Sequence, residues 1–173
     1  MCGLFGIITK DFLSTNEVDL ARQLGIVSQL RGEDSTGMFT VFRKKNKKFG
    51  HSIVKHVGDS SNFFHQKNSI AAMMQPKTLI IAGHCRKATG GKINHDNAHP
   101  FREAHIIGMH NGVIPSFDLK ELGEDRHTDS EEFFIRLAHV GLPTAIDQAG
   151  PGAYAFVWLD MKTQTLNFVR NHA

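Results

Sequence analysis

Cys2 stands directly behind Met1 in the opening Met1-Cys2-Gly3-Leu4-Phe5-Gly6-Ile7, and removing the initiator would leave one residue carrying both a thiol and an α-amine. A thiolate attacks carbonyl carbon well, but a free cysteine, with a pKa of roughly 8.5, is mostly protonated near neutral pH. An α-amine, at roughly 7.7 to 8.0, can accept the thiol proton and later return it to a leaving group. N-terminal nucleophiles use this pairing in place of a separate histidine, and a small second residue permits methionine removal. Alone, Cys2 reads first as a small apolar residue opening a buried strand, so other residues have to decide.

Five further segments are unusual in composition. Arg31-Gly32-Glu33-Asp34-Ser35-Thr36-Gly37 frames a charged turn with two glycines, and it also fits a helix end followed by a polar turn. Gly83-His84-Cys85-Arg86-Lys87-Ala88-Thr89-Gly90-Gly91 emerges from a buried strand, and the planar fork of Arg86 can bind a carboxylate through two parallel hydrogen bonds. Asn97-Ala98-His99-Pro100-Phe101 follows; its histidine and asparagine can equally satisfy backbone groups in a long loop. In His110-Asn111-Gly112 the asparagine amide and the glycine N–H can both donate to a developing oxyanion, the competing reading being an ordinary Asn-Gly turn. Asp129, in Thr128-Asp129-Ser130-Glu131, can pair with an ammonium group, although an acid in a first helical turn is favoured by the dipole alone. Together these groups suit a ligand with an α-carboxylate, an α-ammonium and a carbonyl to attack: an amino acid with a side-chain amide.

The elements that must hold these groups follow from periodicity. Leu4 to Thr9 reads as a strand, and Ser14 to Leu30 as a helix, with Leu20, Leu24, Val27 and Leu30 at helical spacing and a Ser14-x-x-Glu17 capping box. Met38 to Phe42 and Phe49 to Val57 read as strands, Ser60 to Met74 as one helix closed by Pro76, and Leu79 to Ala82 and Ile106 to Met109 as buried strands. A second capping box at Thr128 opens a helix presenting Phe133, Phe134, Leu137 and Val140; a short helical turn spans Ala145 to Ala149, and a hairpin joins Ala153 to Leu159 with Leu166 to Val169. Strands in adjacent pairs and helices in separate blocks point away from βαβ alternation, towards an α+β fold of two packed antiparallel sheets with helices outside.

Composition agrees with a folded globular chain. The chain of 173 residues suits one domain or one large fragment of a domain, and 40% hydrophobic with 21% charged residues are globular values. No apolar run approaches the roughly 18 residues needed to cross a bilayer, and the start lacks a basic region followed by an apolar stretch. Two cysteines, Cys2 and Cys85, make no disulfide framework, so a cytoplasmic, reducing compartment is expected. Much of the modest +3 charge lies in Arg43-Lys44-Lys45-Asn46-Lys47-Lys48, which reads as a solvated hairpin tip in preference to a nucleic-acid patch.

Cys2-Gly3-Leu4-Phe5-Gly6, the Arg31 to Gly37 segment, Gly83-His84-Cys85-Arg86, Asn97-Ala98-His99-Pro100-Phe101, His110-Asn111-Gly112, Thr128-Asp129-Ser130-Glu131 and Gly152-Ala153-Tyr154-Ala155 occur in this order along nearly the whole chain. The series resembles the class II glutamine amidotransferase domain, the N-terminal-nucleophile glutaminase module found in glucosamine-6-phosphate synthase and amidophosphoribosyltransferase. The resemblance implies a single domain over residues 1–173, built as a four-layer αββα sandwich. It implies that Cys2 attacks the glutamine side-chain amide to form a γ-glutamyl thioester, with Asn111 and the Gly112 N–H holding the oxyanion. Arg86 then binds the substrate carboxylate, Asp129 its ammonium, Thr89 and His99 line the pocket, and Arg31, Asp34 and His84 support the site. No cofactor or metal, nucleic acid or membrane is implied; the partners are L-glutamine and an ammonia-accepting synthase or transferase.

Two departures stand out. Lys87 follows the motif arginine where glucosamine-6-phosphate synthase carries a tryptophan, and the chain ends at Arg170-Asn171-His172-Ala173 where related domains continue through further strands. Either the second sheet is shortened at its C-terminus or the chain is part of a longer polypeptide. Competing readings are another N-terminal-nucleophile amide hydrolase, a non-catalytic amidotransferase-like interaction module that keeps Met1, and a metal site. For the last, His84, Cys85, His95, His99 and His110 fit no familiar zinc spacing.

Overall fold

The computed structural model describes residues 2–117 and 128–171. Met1, on which the question of initiator removal turns, and the last two residues of the chain end lie outside them. The fold is α+β with two four-stranded antiparallel sheets and accompanying helices, consistent with the N-terminal-nucleophile hydrolase class. The chain divides into two compact units: residues up to Lys87 together with Ala98–Pro100, and Ala88–Asn97 together with the residues from Phe101 onward. Among the described residues no helix is long and apolar enough to cross a membrane.

In the first unit β1 (Gly3–Ile8), β2 (Ser35–Arg43), β3 (Phe49–Val57) and β4 (Thr78–Arg86) form a sheet in the order β1-β4-β2-β3. All nine residues of β4 are buried, because it pairs on one edge with β1 and on the other with β2. This double pairing carries β4 four residues past the apolar run, so His84, Cys85 and Arg86 lie on the strand instead of in the loop expected after Ala82. Gly3 and Thr36 flank Cys85 on its two sides.

Helix α1 (Thr15–Ser28) starts at the expected capping box: the Glu17 N–H donates to Ser14 Oγ at 3.4 Å, and the Ser14 N–H donates back to Glu17 Oε2 at 2.7 Å. Its leucine stripe is not its buried face. Leu20, Leu24, Val27 and Leu30 are exposed, Leu30 at 88%, while Ala21 and Gly25 are buried. The reason is close approach: a Cβ at Gly25 would stand 2.4 Å from the Phe64 ring, so the small residues face the core of Met38, Phe63, Phe64, Met73 and Ile81. The single helix expected over residues 60–74 is two, α2 (Ser60–His65) and α3 (Lys67–Met73). Gln66 between them is extended, and its side-chain amide meets His56 Nδ1 at 2.7 Å.

In the second unit β5 (Phe101–Glu103), β6 (Ile106–Gly112), β7 (Tyr154–Asp160) and β8 (Thr165–Asn171) form an antiparallel meander. Helices α4 (Asp129–Val140) and α5 (Leu142–Ala149) accompany it. Thr128 caps α4, accepting the Glu131 N–H at 3.2 Å. Phe156 sits at the centre of the core with no exposed surface, stacked on Phe133 at 3.8 Å between centroids and ringed by Phe134 and Tyr154. Gly108 is a necessary contact here, since a Cβ would stand 2.1 Å from the Phe134 ring.

Candidate active site

The first unit gathers Cys2, Arg31, Asp34, Arg86 and Lys87 at one end of its sheet. Antiparallel pairing of β1 with β4 places Cys2 beside the end of β4, where the Lys87 N–H donates to Cys2 Sγ at 3.3 Å. The Cys2 thiol in turn reaches the Lys87 carbonyl at 3.5 Å. Arg31 Nε donates to the Cys2 carbonyl at 2.8 Å, fixing the residue from its other side. Gly32 lets this segment press against β4: a Cβ there would stand 2.4 Å from the Arg86 carbonyl carbon. The Asp34 N–H donates to the Arg86 carbonyl at 3.0 Å, and Lys87 Nζ lies 3.5 Å from Asp34 Oδ1. The Lys87 side chain is thus tied back to the loop after α1.

Arg86 itself is 5% exposed at the end of β4. His84 and His99 are both buried, their ring centroids 4.0 Å apart. Gly37 makes room for the second of them, since a Cβ there would stand 2.1 Å from the His99 carbonyl oxygen. Cys85 is a thiol of another kind. It donates to the Gly25 carbonyl at 3.5 Å, and burial pushes its pKa up to about 11, so it stays protonated.

The second unit holds Asn111, Gly112 and Asp129. His110-Asn111-Gly112 is not a hairpin turn: all three residues belong to β6, with Asn111 opposite Ala155 and Gly112 opposite Tyr154. Gly112 needs to be glycine, with φ at +143° and the Ala153 carbonyl 2.4 Å from where a Cβ would be. Asp129 opens α4, where its Oδ2 accepts the Ile114 N–H at 2.9 Å and its Oδ1 the Ser130 N–H at 2.8 Å. A carboxylate offers about four lone-pair sites, so acceptor capacity remains for an ammonium group. Thr89 lies in the exposed bend that follows β4. Asn97 does what an asparagine in a long loop can do, its amide donating to the Lys92 carbonyl at 3.0 Å. Among the described residues no group of three or more His, Cys, Asp or Glu is placed to hold a metal ion.

Three contributors carried no signal in the residue pattern. The Lys87 and Ile114 donors are main-chain N–H groups, which no residue type advertises, and Ser130 read only as part of a helix cap. Ser130 Oγ lies 2.8 Å from Nδ1 of His110, a ring 2% exposed and stacked on Phe156. Burial pushes the His110 pKa down to about 4, opposed by the Asp129 carboxylate. The folded value lies below the ordinary 6.5, so the neutral ring's contribution to stability is complete above about pH 6.5 and is lost as pH falls towards 4. Urea unfolding at pH 7 and pH 4.5 is expected to show wild type losing about 2 kcal/mol more than His110→Phe over that interval. Equal losses would mean the ring is not held neutral.

No protein-family model matches the chain. Whole sequences do. Glutamine–fructose-6-phosphate aminotransferase (isomerizing) from Streptococcus agalactiae is 30% identical over 177 residues, covering 92% of this chain and 27% of the relative. The enzyme of the same name from Haemophilus ducreyi is 30% identical over 95% of this chain and 28% of its own length. That from Streptococcus pneumoniae is 34% identical over 70% of this chain and 18% of its own length. These relatives place the chain among class II glutamine amidotransferase domains. The chain spans about a quarter of the length of the relatives it matches most fully.

Proposed function

We propose that this amidotransferase domain hydrolyses the side-chain amide of L-glutamine to glutamate and ammonia through a γ-glutamyl thioester on Cys2. Removal of Met1 frees the α-amine, which takes the thiol proton as sulfur attacks the amide carbon. Asn111 and the Gly112 N–H stabilise the oxyanion. The carbon–nitrogen bond breaks as the amine passes its proton to departing ammonia, and water then attacks the thioester to release glutamate and restore the thiol. Arg86 binds the substrate carboxylate and Asp129 its ammonium, with Thr89 and His99 lining the pocket and Arg31, Asp34 and His84 supporting it. The ammonia is destined for a synthase or transferase partner, and Cys2 and Cys85, neither of them in a disulfide, agree with a cytoplasmic setting.

The observation that carries this reading is the Cys2 thiol held at 3.3 Å by the Lys87 N–H, with Arg31 on its carbonyl. Support for the substrate comes from the relatives, whose names include glutamine. The test separates a glutaminase from another N-terminal-nucleophile amide hydrolase. Arg86→Leu and Asp129→Asn are each expected to raise KM for L-glutamine roughly 100-fold, the loss of one charge-assisted contact, in assays of ammonia release. An unchanged KM in both variants would favour the other hydrolase, which needs no α-amino acid.

A further inference from the structure

We propose that His110 is a positioning residue: through Ser130 it aims the Asp129 carboxylate at the substrate ammonium. The substrate in this statement rests on the glutaminase reading; the hydrogen-bond relay does not.

The relay is defined by what each group can give. Asp129 as a carboxylate only accepts, and Ser130 donates to it twice, from its N–H to Oδ1 at 2.8 Å and from its hydroxyl to Oδ1 at 3.3 Å. In the proposed relay the single Ser130 hydroxyl proton goes to Asp129, and the 2.8 Å contact between Ser130 Oγ and His110 Nδ1 takes its proton from the imidazole. That relay makes His110 the neutral Nδ1–H tautomer, with Nε2 as a bare acceptor. Nε2 is buried with no hydrogen-bond partner among the described residues. It faces Gly112: a Cβ on that glycine would stand 3.0 Å from it. One ring thus touches both the segment proposed to hold the oxyanion and, through one hydroxyl, the acid proposed to hold the ammonium. The stack on Phe156, 4.7 Å between centroids, fixes the ring plane that makes both contacts possible.

The test uses the full chain. Nitrogen-15 NMR of labelled histidine at pH 7 is expected to show one ring as the Nδ1–H tautomer, absent in His110→Phe and shifted in Ser130→Ala; an Nε2–H tautomer or an imidazolium would overturn the relay. In kinetics, His110→Phe keeps the stack but not the donor, and it is expected to raise KM for L-glutamine about tenfold. The same variant is expected to lose much less kcat/KM on the γ-amide lacking the α-ammonium than on L-glutamine. His110→Asn, whose amide can donate from the place of Nδ1, restores KM to within about threefold of wild type. Equal losses on both amides, or no rescue by asparagine, would make His110 a packing residue and overturn the proposal. Failure of wild type to hydrolyse glutamine would instead overturn the glutaminase reading, with the tautomer and its dependence on Ser130 still deciding whether the relay exists.

Discussion

Replacing Cys2 with alanine is expected to lower glutamine hydrolysis by roughly 10⁴- to 10⁶-fold, the scale on which removal of a covalent nucleophile acts. The variant isolates the thiol. Alanine is small enough to permit methionine removal, and the Arg31 Nε contact is to the main-chain carbonyl of residue 2, which alanine retains. Cys2 is only partly buried at the start of β1, so little packing is lost with the sulfur. The measurement is ammonia release under saturating glutamine, beside a thermal melt to confirm the fold. Activity within about tenfold of wild type would remove Cys2 from the chemistry.

The largest structural effect is expected at Phe156. Its ring has no exposed surface and contacts Phe133, Phe134, Tyr154 and His110. Phe156→Ala removes the transfer free energy of the ring and leaves a cavity that rigid aromatic neighbours close poorly. A cost of about 4 kcal/mol follows from comparable core truncations. In a chain of this length that lowers Tm by roughly 10 °C, read by circular dichroism. The same cavity frees the His110 ring, so glutamine affinity should fall as well. A Tm within about 2 °C of wild type would mean that the aromatic cluster is not what holds the second unit together.

What the sequence disclosed was local. Ser14 with Glu17, Thr128 ahead of α4, and the hairpin of β7 and β8 are each specified by residues within a few positions of one another, and all three are found. What it concealed depends on pairing. The polar end of β4 looks like a loop because a strand buried on both edges need not announce itself by alternation, and β5, at three residues, is too short for any period. Asn111-Gly112 looks like a turn because that dipeptide usually is one; here a strand end requires a positive φ against the Ala153 carbonyl. On α1 the apolar stripe and the buried face diverge, since Gly25 admits an aromatic ring closer than any leucine could.

The candidate site follows the same division. Residue types pointed to Cys2, Arg86, Asn111, Gly112 and Asp129, because thiol, guanidinium, amide and carboxylate each carry recognisable chemistry. The contact that orients the thiol comes from a main-chain N–H 85 residues away. That contact appears only once β1 and β4 are paired.

The central claim, that Cys2 with a freed α-amine attacks a glutamine side chain, is tested most directly by intact-mass and peptide mass spectrometry after treatment with a glutamine-analogue electrophile. The account predicts a chain lacking Met1 and carrying one adduct, on Cys2, with Cys85 unmodified as its raised pKa requires. A chain that retains Met1 and leaves Cys2 unmodified, or that carries its adduct on Cys85, would contradict it.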